Sequence, residues 1–160
     1  NAILDYGYEY LALHQEININ YNAGWNIVGL PLEVEYAHYQ TLYPESIEGT
    51  LYSFDGNYDP STSLINGEGY WLRFNEEGST NISGTIINEL TINLHEGWNL
   101  ITGGSTSLNI LDIQDPDGII ISSTVYSFNN GVYTITENIE PGKGYWIRAN
   151  NSGSIILTSE

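Results

Sequence analysis

Hydrophobic and polar positions along this chain change over within a few residues. The apolar runs are short, β-branched and aromatic, with Gly, Asn and Asp between them. That pattern predicts strands joined by tight turns. Residues 119–128 stop at Asn129-Asn130-Gly131, a hairpin signal, and 132–136 run back. Residues 144–149 and 154–158 predict a second hairpin around 150–153. Earlier in the chain, 51–54, 69–74 and 81–87 take the same parts, with Asp55-Gly56 as the turn. Residues 16–21 and 89–94 read as opening strands, each followed by a tight turn at Ala23-Gly24 or Glu96-Gly97. Helical signal is confined to two stretches of one or two turns. One is 107–114, with Ser107 as N-cap and Leu108, Leu111 and Ile113 apolar; the other is 33–42, with Tyr36 and Tyr39 facing inward.

The pattern is said twice. Gly24-Trp25-Asn26-Ile27 returns as Gly97-Trp98-Asn99-Leu100, and Leu51-Tyr52-Ser53-Phe54 as Val125-Tyr126-Ser127-Phe128. Gly67-Glu68-Gly69-Tyr70-Trp71-Leu72-Arg73 returns as Gly142-Lys143-Gly144-Tyr145-Trp146-Ile147-Arg148. The offsets are 73, 74 and 75 residues, in the same order. Motifs repeated in order at a nearly fixed offset predict repeated structural units. The expected fold is therefore all-β: two homologous sandwich-like or barrel-like units, 12–84 and 85–160, with at most a short helix in each. Tandem units and a single pseudo-twofold body both satisfy the pattern.

Residues 1–11 stand outside the two units. Shifted by 73 they fall opposite 74–84, the tail of the first unit, so they read as the last strand of an absent preceding unit. Tyr6, Tyr8 and Tyr10 take one face of that strand and Asp5, Gly7 and Glu9 the other. Such a strand either pairs within its own chain or meets a neighbouring molecule, which makes these three tyrosines the candidate self-association residues.

Charge narrows the partners. Three Lys+Arg against 20 Asp+Glu give a net charge of −17, which repels nucleic acid and anionic membranes. Four Trp, thirteen Tyr and 41% hydrophobic residues separate the chain from a disordered acidic tail. The absence of Cys excludes thiol chemistry and Cys-ligated zinc, and is compatible with export. A first residue of Asn1 rather than Met leaves two expectations open, removal of an upstream segment such as a signal peptide or a cloning boundary. No apolar run approaches the roughly 20 residues of a membrane-spanning helix.

The chemistry on offer is sparse. All three basic residues, Arg73, Lys143 and Arg148, lie in the repeated GYW segment. Residues two apart in a strand share a face, so Trp71 sits beside Arg73 and Trp146 beside Arg148. These four are the candidate glycan-binding residues, an indole for sugar C–H groups and a guanidinium for hydroxyls; the structural reading is a Trp–Arg cation–π pair. Trp25 and Trp98 read as core anchors, and Asn26 and Asn99 as side chains bonding the turn backbone. Asn81 and Asn150 head glycosylation sequons. Asp112, Asp115 and Asp117 miss the alternate-position spacing of an EF-hand and read as a turn. His14, His38 and His95 lack zinc spacing. No nucleophile motif or phosphate loop occurs, so no catalytic residue, metal or cofactor is expected.

The order GWN, YSF, PGKGYW over about residues 12–160 resembles a repeat of secreted bacterial surface proteins and polysaccharide-degrading systems. The second unit matches it well through Glu140-Pro141-Gly142-Lys143-Gly144-Tyr145-Trp146, whereas the first lacks the Pro and the Lys. The resemblance implies an extracellular or cell-surface, non-catalytic module. The function expected is structural or adhesive, with copies of the chain or other surface proteins as partners through head-to-tail, filament-like strand contacts. The alternative is a carbohydrate-binding module with polysaccharide as partner.

Overall fold

The computed structural model describes residues 13–159. The chain is all-β, and every strand pair among the described residues is antiparallel. In the first half β1 (His14–Tyr21), β7 (Gly78–Ile86) and β3 (Leu32–Glu33) form one sheet in the order β1-β7-β3. The facing sheet joins β2 (Gly24–Val28), β6 (Tyr70–Phe74), β4 (Tyr52–Phe54) and β5 (Tyr58–Pro60) in the order β2-β6-β4-β5. The second half answers with β8 (Glu89–Leu94) paired to β15 (Gly153–Thr158). Opposite them lie β9 (Gly97–Thr102), β14 (Gly144–Ala149), β11 (Tyr126–Asn129) and β12 (Val132–Ile135), in the order β9-β14-β11-β12. A small ribbon of β10 (Leu108–Asn109) and β13 (Asn138–Ile139) completes the sheets.

The β11–β12 hairpin forms at the turn read from sequence, but its first strand is Tyr126–Asn129 and not the whole of 119–128. Asn129 opposes Val132, and Asn130 and Gly131 both take positive φ (49° and 80°), as a two-residue type I′ turn requires. The second expected hairpin does not form. β14 pairs with β9 and β11, while β15 pairs with β8. The turn at 150–153 carries the chain from one sheet to the other, because both strands have an apolar face to bury. Tyr145 and Ile147 meet Ile155 and Leu157 in one core cluster between the two sheets. β6 and β7 make the same corner in the first half.

The helical segments shrink further than expected. Between β3 and β4 the first half forms α1 (Tyr39–Leu42), started by His38, whose Nδ1 accepts from the Gln40 N–H; Tyr39 is buried and Tyr36 is exposed. In the second half a single 3₁₀ turn (Ile110–Asp112) is capped by Asn109, not Ser107, and Leu111 is exposed. Leu108 and Asn109 are drawn instead into the ladder with β13. The expected turn roles of Asn26 and Asn99 hold: each amide donates to two main-chain carbonyls and accepts from the N–H four residues earlier.

The halves do not stand apart as independent sandwiches. Gly69 N–H donates to Leu100 C=O at 3.0 Å and Thr102 N–H to Gly67 C=O at 3.1 Å. Across the junction Gly29 N–H donates to Gly142 C=O at 3.1 Å, and Val28 bridges Lys143 as Glu68 bridges Ile101. With the β2–β6 and β9–β14 ladders these contacts close a ring in which each GWN strand also touches the other half's GYW segment. The crossing is too close for a side chain. A Cβ on Gly69 would lie 2.8 Å from the Ile101 carbonyl oxygen, and one on Gly144 would overlap Ile27. Inside the ring Ile27, Leu100 and Trp146 form a third apolar cluster. Ser105 ties the halves again, accepting from Ile87 N–H and donating to Pro31 C=O, both at 2.7 Å.

Buried tyrosines line each core. Tyr145 accepts from the Glu140 N–H at 2.8 Å and burial pushes its pKa up to about 12. Burial likewise raises Tyr70, which also donates to Glu68.

Gly69→Ala is expected to cost about 1–3 kcal/mol of stability through the backbone clash, read as a lowered melting temperature, whereas an Ala at an exposed loop position leaves it near wild type. A second expectation concerns alkali. A phenol with a raised folded-state pKa favours folding only while neutral, so its contribution is intact below pH 10 and is lost between pH 10 and about 12. Urea midpoints should fall across that window, and fall less steeply in Tyr145→Phe.

Candidate functional site

Cross-strand partners share a sheet face. On the first four-stranded sheet Trp25 opposes Arg73, Ile27 opposes Trp71, Tyr52 opposes Trp71, and Phe54 opposes Tyr58. The alternate residues Asn26, Val28, Tyr70, Leu72 and Phe74 point into the sandwich core and are buried. The other face is therefore almost wholly aromatic. The second sheet repeats it with Trp98 opposite Arg148, Leu100 and Tyr126 opposite Trp146, and Phe128 opposite Tyr133.

The two aromatic faces meet at the ring and interlock edge to face. Phe54 meets Trp146 with centroids 4.8 Å apart and planes at 80°, and Trp71 meets Phe128 with the same values. Pairs of this geometry contribute about 0.5–1.5 kcal/mol beyond the area they bury. Within each half Trp25 stands at 90° to Trp71, and Trp98 at 84° to Trp146, both at 6.3 Å.

Two clefts remain at the mouth. The first, about 500 Å³, is lined by Trp25, Tyr52, Tyr58, Trp71, Phe128 and Tyr133. The second, about 380 Å³, is lined by Phe54, Tyr58, Trp98, Tyr126, Tyr133 and Trp146. Tyr58 and Tyr133 belong to both, so the clefts adjoin. The indole N–H of Trp71 is buried with no acceptor among the described residues.

This geometry corrects the roles read for the tryptophans. Trp25 and Trp98 are not core anchors; they are 39% and 38% exposed. They lie on the face away from the core, at the start of each GWN strand, beyond the point where Ile27 and Leu100 are covered by the junction. Trp71 is half-buried and Trp146 buried in the cleft walls, with Arg73 and Arg148 exposed. The Arg148 guanidinium sits 5.9 Å from the centroid of Trp98, its cross-strand partner, rather than over Trp146. Of the four residues singled out from sequence, Trp71 and Trp146 line the clefts and Arg73 and Arg148 do not; the other residues that complete each cleft were missed. Their signal was the alternation Tyr52-x-Phe54 and Tyr126-x-Phe128.

A second feature is a polar groove of about 500 Å³ beside β1. Four consecutive β1 residues, Ile17 to Asn20, line it, facing Ser127, Phe128 and Asn129. β1 is an edge strand: β7 covers one side and, among the described residues, no strand covers the other. Lys143 crosses from the second half and donates to the Asn20 carbonyl; burial lowers the pKa of its ammonium. That contact fixes which peptide groups point outward. Asn18, two residues back, directs its N–H and C=O the same way. Tyr6, Tyr8 and Tyr10 lie outside the described residues.

The remaining polar candidates are held by the fold. Asn81 is exposed and accepts from the Asn18 amide at 2.7 Å; Asn150 is exposed, its N–H bonded to Ile119 C=O. The Asp115 carboxylate accepts from the N–H groups of Ile119 and Ile120, both at 2.9 Å, the work of a turn. Among the described residues no group of three His, Asp or Glu is placed to hold a metal ion, and no helix is long and apolar enough to cross a membrane. Comparisons with protein-family models, with curated proteins and with solved structures find no match to this chain.

Acrylamide should quench a distinct, accessible class of indole emission. That class is expected to disappear in the Trp25→Phe, Trp98→Phe double variant, which keeps the thermal transition of the wild type.

Proposed function

We propose that this chain is a non-catalytic structural or adhesive protein of the cell surface or extracellular space, which associates with copies of itself by strand addition. The observation that carries the reading is the outward edge of β1 beside a groove, with the alternating segment of Tyr6, Tyr8 and Tyr10 immediately upstream. An extended segment lying against that edge gains main-chain hydrogen bonds from Asn18 and its neighbours, and the groove receives alternate side chains.

Length fits. Twelve extended residues span about 40 Å, and the eight of β1 about 26 Å, at about 3.3 Å per residue. Folding the segment back onto its own β1 calls for a tight turn near Leu11-Ala12-Leu13, which has none of the Gly, Asn, Asp, Ser or Pro that such turns use. Delivery to the next molecule needs no such turn. A segment given by one copy and an edge offered by another make a heterologous contact, and repetition of that contact builds an open chain. Covering the β1 edge also removes a site of unregulated pairing.

The test is assembly state by sedimentation and negative-stain electron microscopy at high protein concentration. Wild type should assemble, and deletion of residues 1–11 should leave monomers. Asn18→Pro removes one outward N–H and leaves the β1–β7 ladder in place, so it should keep the β-sheet circular dichroism while losing assembly. A wild type that stays monomeric, or an Asn18→Pro protein that assembles as well as wild type, sinks the reading.

A further inference from the structure

We propose that the two adjoining aromatic clefts form one binding site for a neutral polysaccharide chain. This site touches the groove beside β1 only through Phe128, which lines both, and it does not depend on self-association.

The walls dictate the ligand. Each cleft is lined by six aromatic side chains and nothing else, and each falls within the usual 300–1,000 Å³ of small-ligand pockets, taken as an approximate range. Indole and phenol faces attract flat surfaces bearing partly positive C–H groups, which is what a pyranose ring presents. The two clefts offer the same kinds of side chain twice and share Tyr58 and Tyr133. A polymer of one repeating unit satisfies both at once, and binding at the second cleft gains from high effective concentration once the first is filled.

The polar groups fit the same ligand. Tyr58 and Tyr133 stand half-exposed on edge strands, and a phenol both donates and accepts, as a sugar hydroxyl does. Arg73 and Arg148 line neither cleft; they stand exposed opposite Trp25 and Trp98 and donate only.

Charge excludes the other ligands that stack on aromatics. Single-stranded nucleic acid uses such platforms, but always with a basic groove for its backbone, and this chain has 3 basic residues against 20 acidic ones. Anionic glycans meet the same repulsion. A proline-rich peptide is the remaining competitor, because its recognition also uses aromatic grooves. It offers carbonyl acceptors and no hydroxyls, so it leaves the acceptor capacity of the phenols unused.

The experiment is affinity electrophoresis and fluorescence titration against hydroxyethyl cellulose, xylan, mixed-linkage glucan and mannan. Pectate serves as the anionic control and a polyproline peptide as the competitor. Monomeric Asn18→Pro protein is run beside wild type, so that loss of assembly and loss of sugar binding are read separately. At least one neutral polymer should retard both proteins and shift indole emission. Trp25→Ala and Trp98→Ala should each weaken binding about tenfold, and the pair should abolish it. Tyr58→Ala and Tyr133→Ala, on exposed edge strands where folding is not at risk, should weaken it as well. The proposal falls if no neutral polymer binds, if the Trp and Tyr variants bind like wild type, or if polyproline or pectate binds in preference.

Discussion

The structure depends on the close crossing of main chains where the two halves meet. The segments before β6 and β14 lie against the ends of β9 and β2, hydrogen-bonded at 3.0–3.1 Å. Gly69 and Gly144 permit that approach because they have no Cβ. Once the ring closes, the face of each four-stranded sheet that points away from its own core divides into two zones. Its middle, with Ile27 and Leu100, is buried by the other half. Its margin, with Trp25 and Trp98, is left at the mouth. The clefts are therefore a consequence of the crossing rather than a separate construction, and they come as a pair because the crossing does.

Packing at the junction explains why that mouth stays aromatic. Phe54 and Phe128 reach across the ring to the tryptophan of the opposite half, so each cleft borrows a wall from the other. A side chain there serves stability with one edge and a binding surface with the other. The edge-to-face geometry holds the rings upright, and upright rings expose their faces. Exposed apolar area of this kind is costly in water and is retained where something covers it.

Much of the fold was legible from local signals. The GWN turn announced itself through Asn26 and Asn99, whose bonds lie within four residues, and Asn130-Gly131 specified its own turn type. What failed was pairing between distant segments. Residues 144–149 and 154–158 look like a hairpin because they are adjacent strands with a turn between them, and sequence adjacency cannot tell a hairpin from a corner. The choice is made by Tyr145, Ile147, Ile155 and Leu157, which must face one another across a core. The tryptophans were misread for a related reason. Trp25 starts an apolar strand and so looks like core, but period two puts it on the Ile27 face, and only the other half decides how far along that face burial extends. The pairs Trp71 with Arg73, and Trp146 with Arg148, are legible as same-face neighbours because their spacing lies within one strand. The cross-strand pairing of Arg148 with Trp98 was beyond reach of spacing alone.

The repeat is also imperfect beside the β1 edge. At matching places in the GYW motif the first half has Glu68 and the second has Lys143. Glu68 accepts from the Tyr70 hydroxyl within its own half, whereas Lys143 leaves its half and donates to the Asn20 carbonyl of β1. A carboxylate has no proton to offer a carbonyl, so this substitution breaks the equivalence of the two crossings. Two equal halves with equal edges favour closed, twofold association, because each surface meets its own copy. Directional growth requires the ends to differ. The difference here is one charge: Lys143 reaches the Asn20 carbonyl beside the groove, whereas Glu68 stays within its own half. The head-to-tail association proposed above rests on that inequality between the two halves.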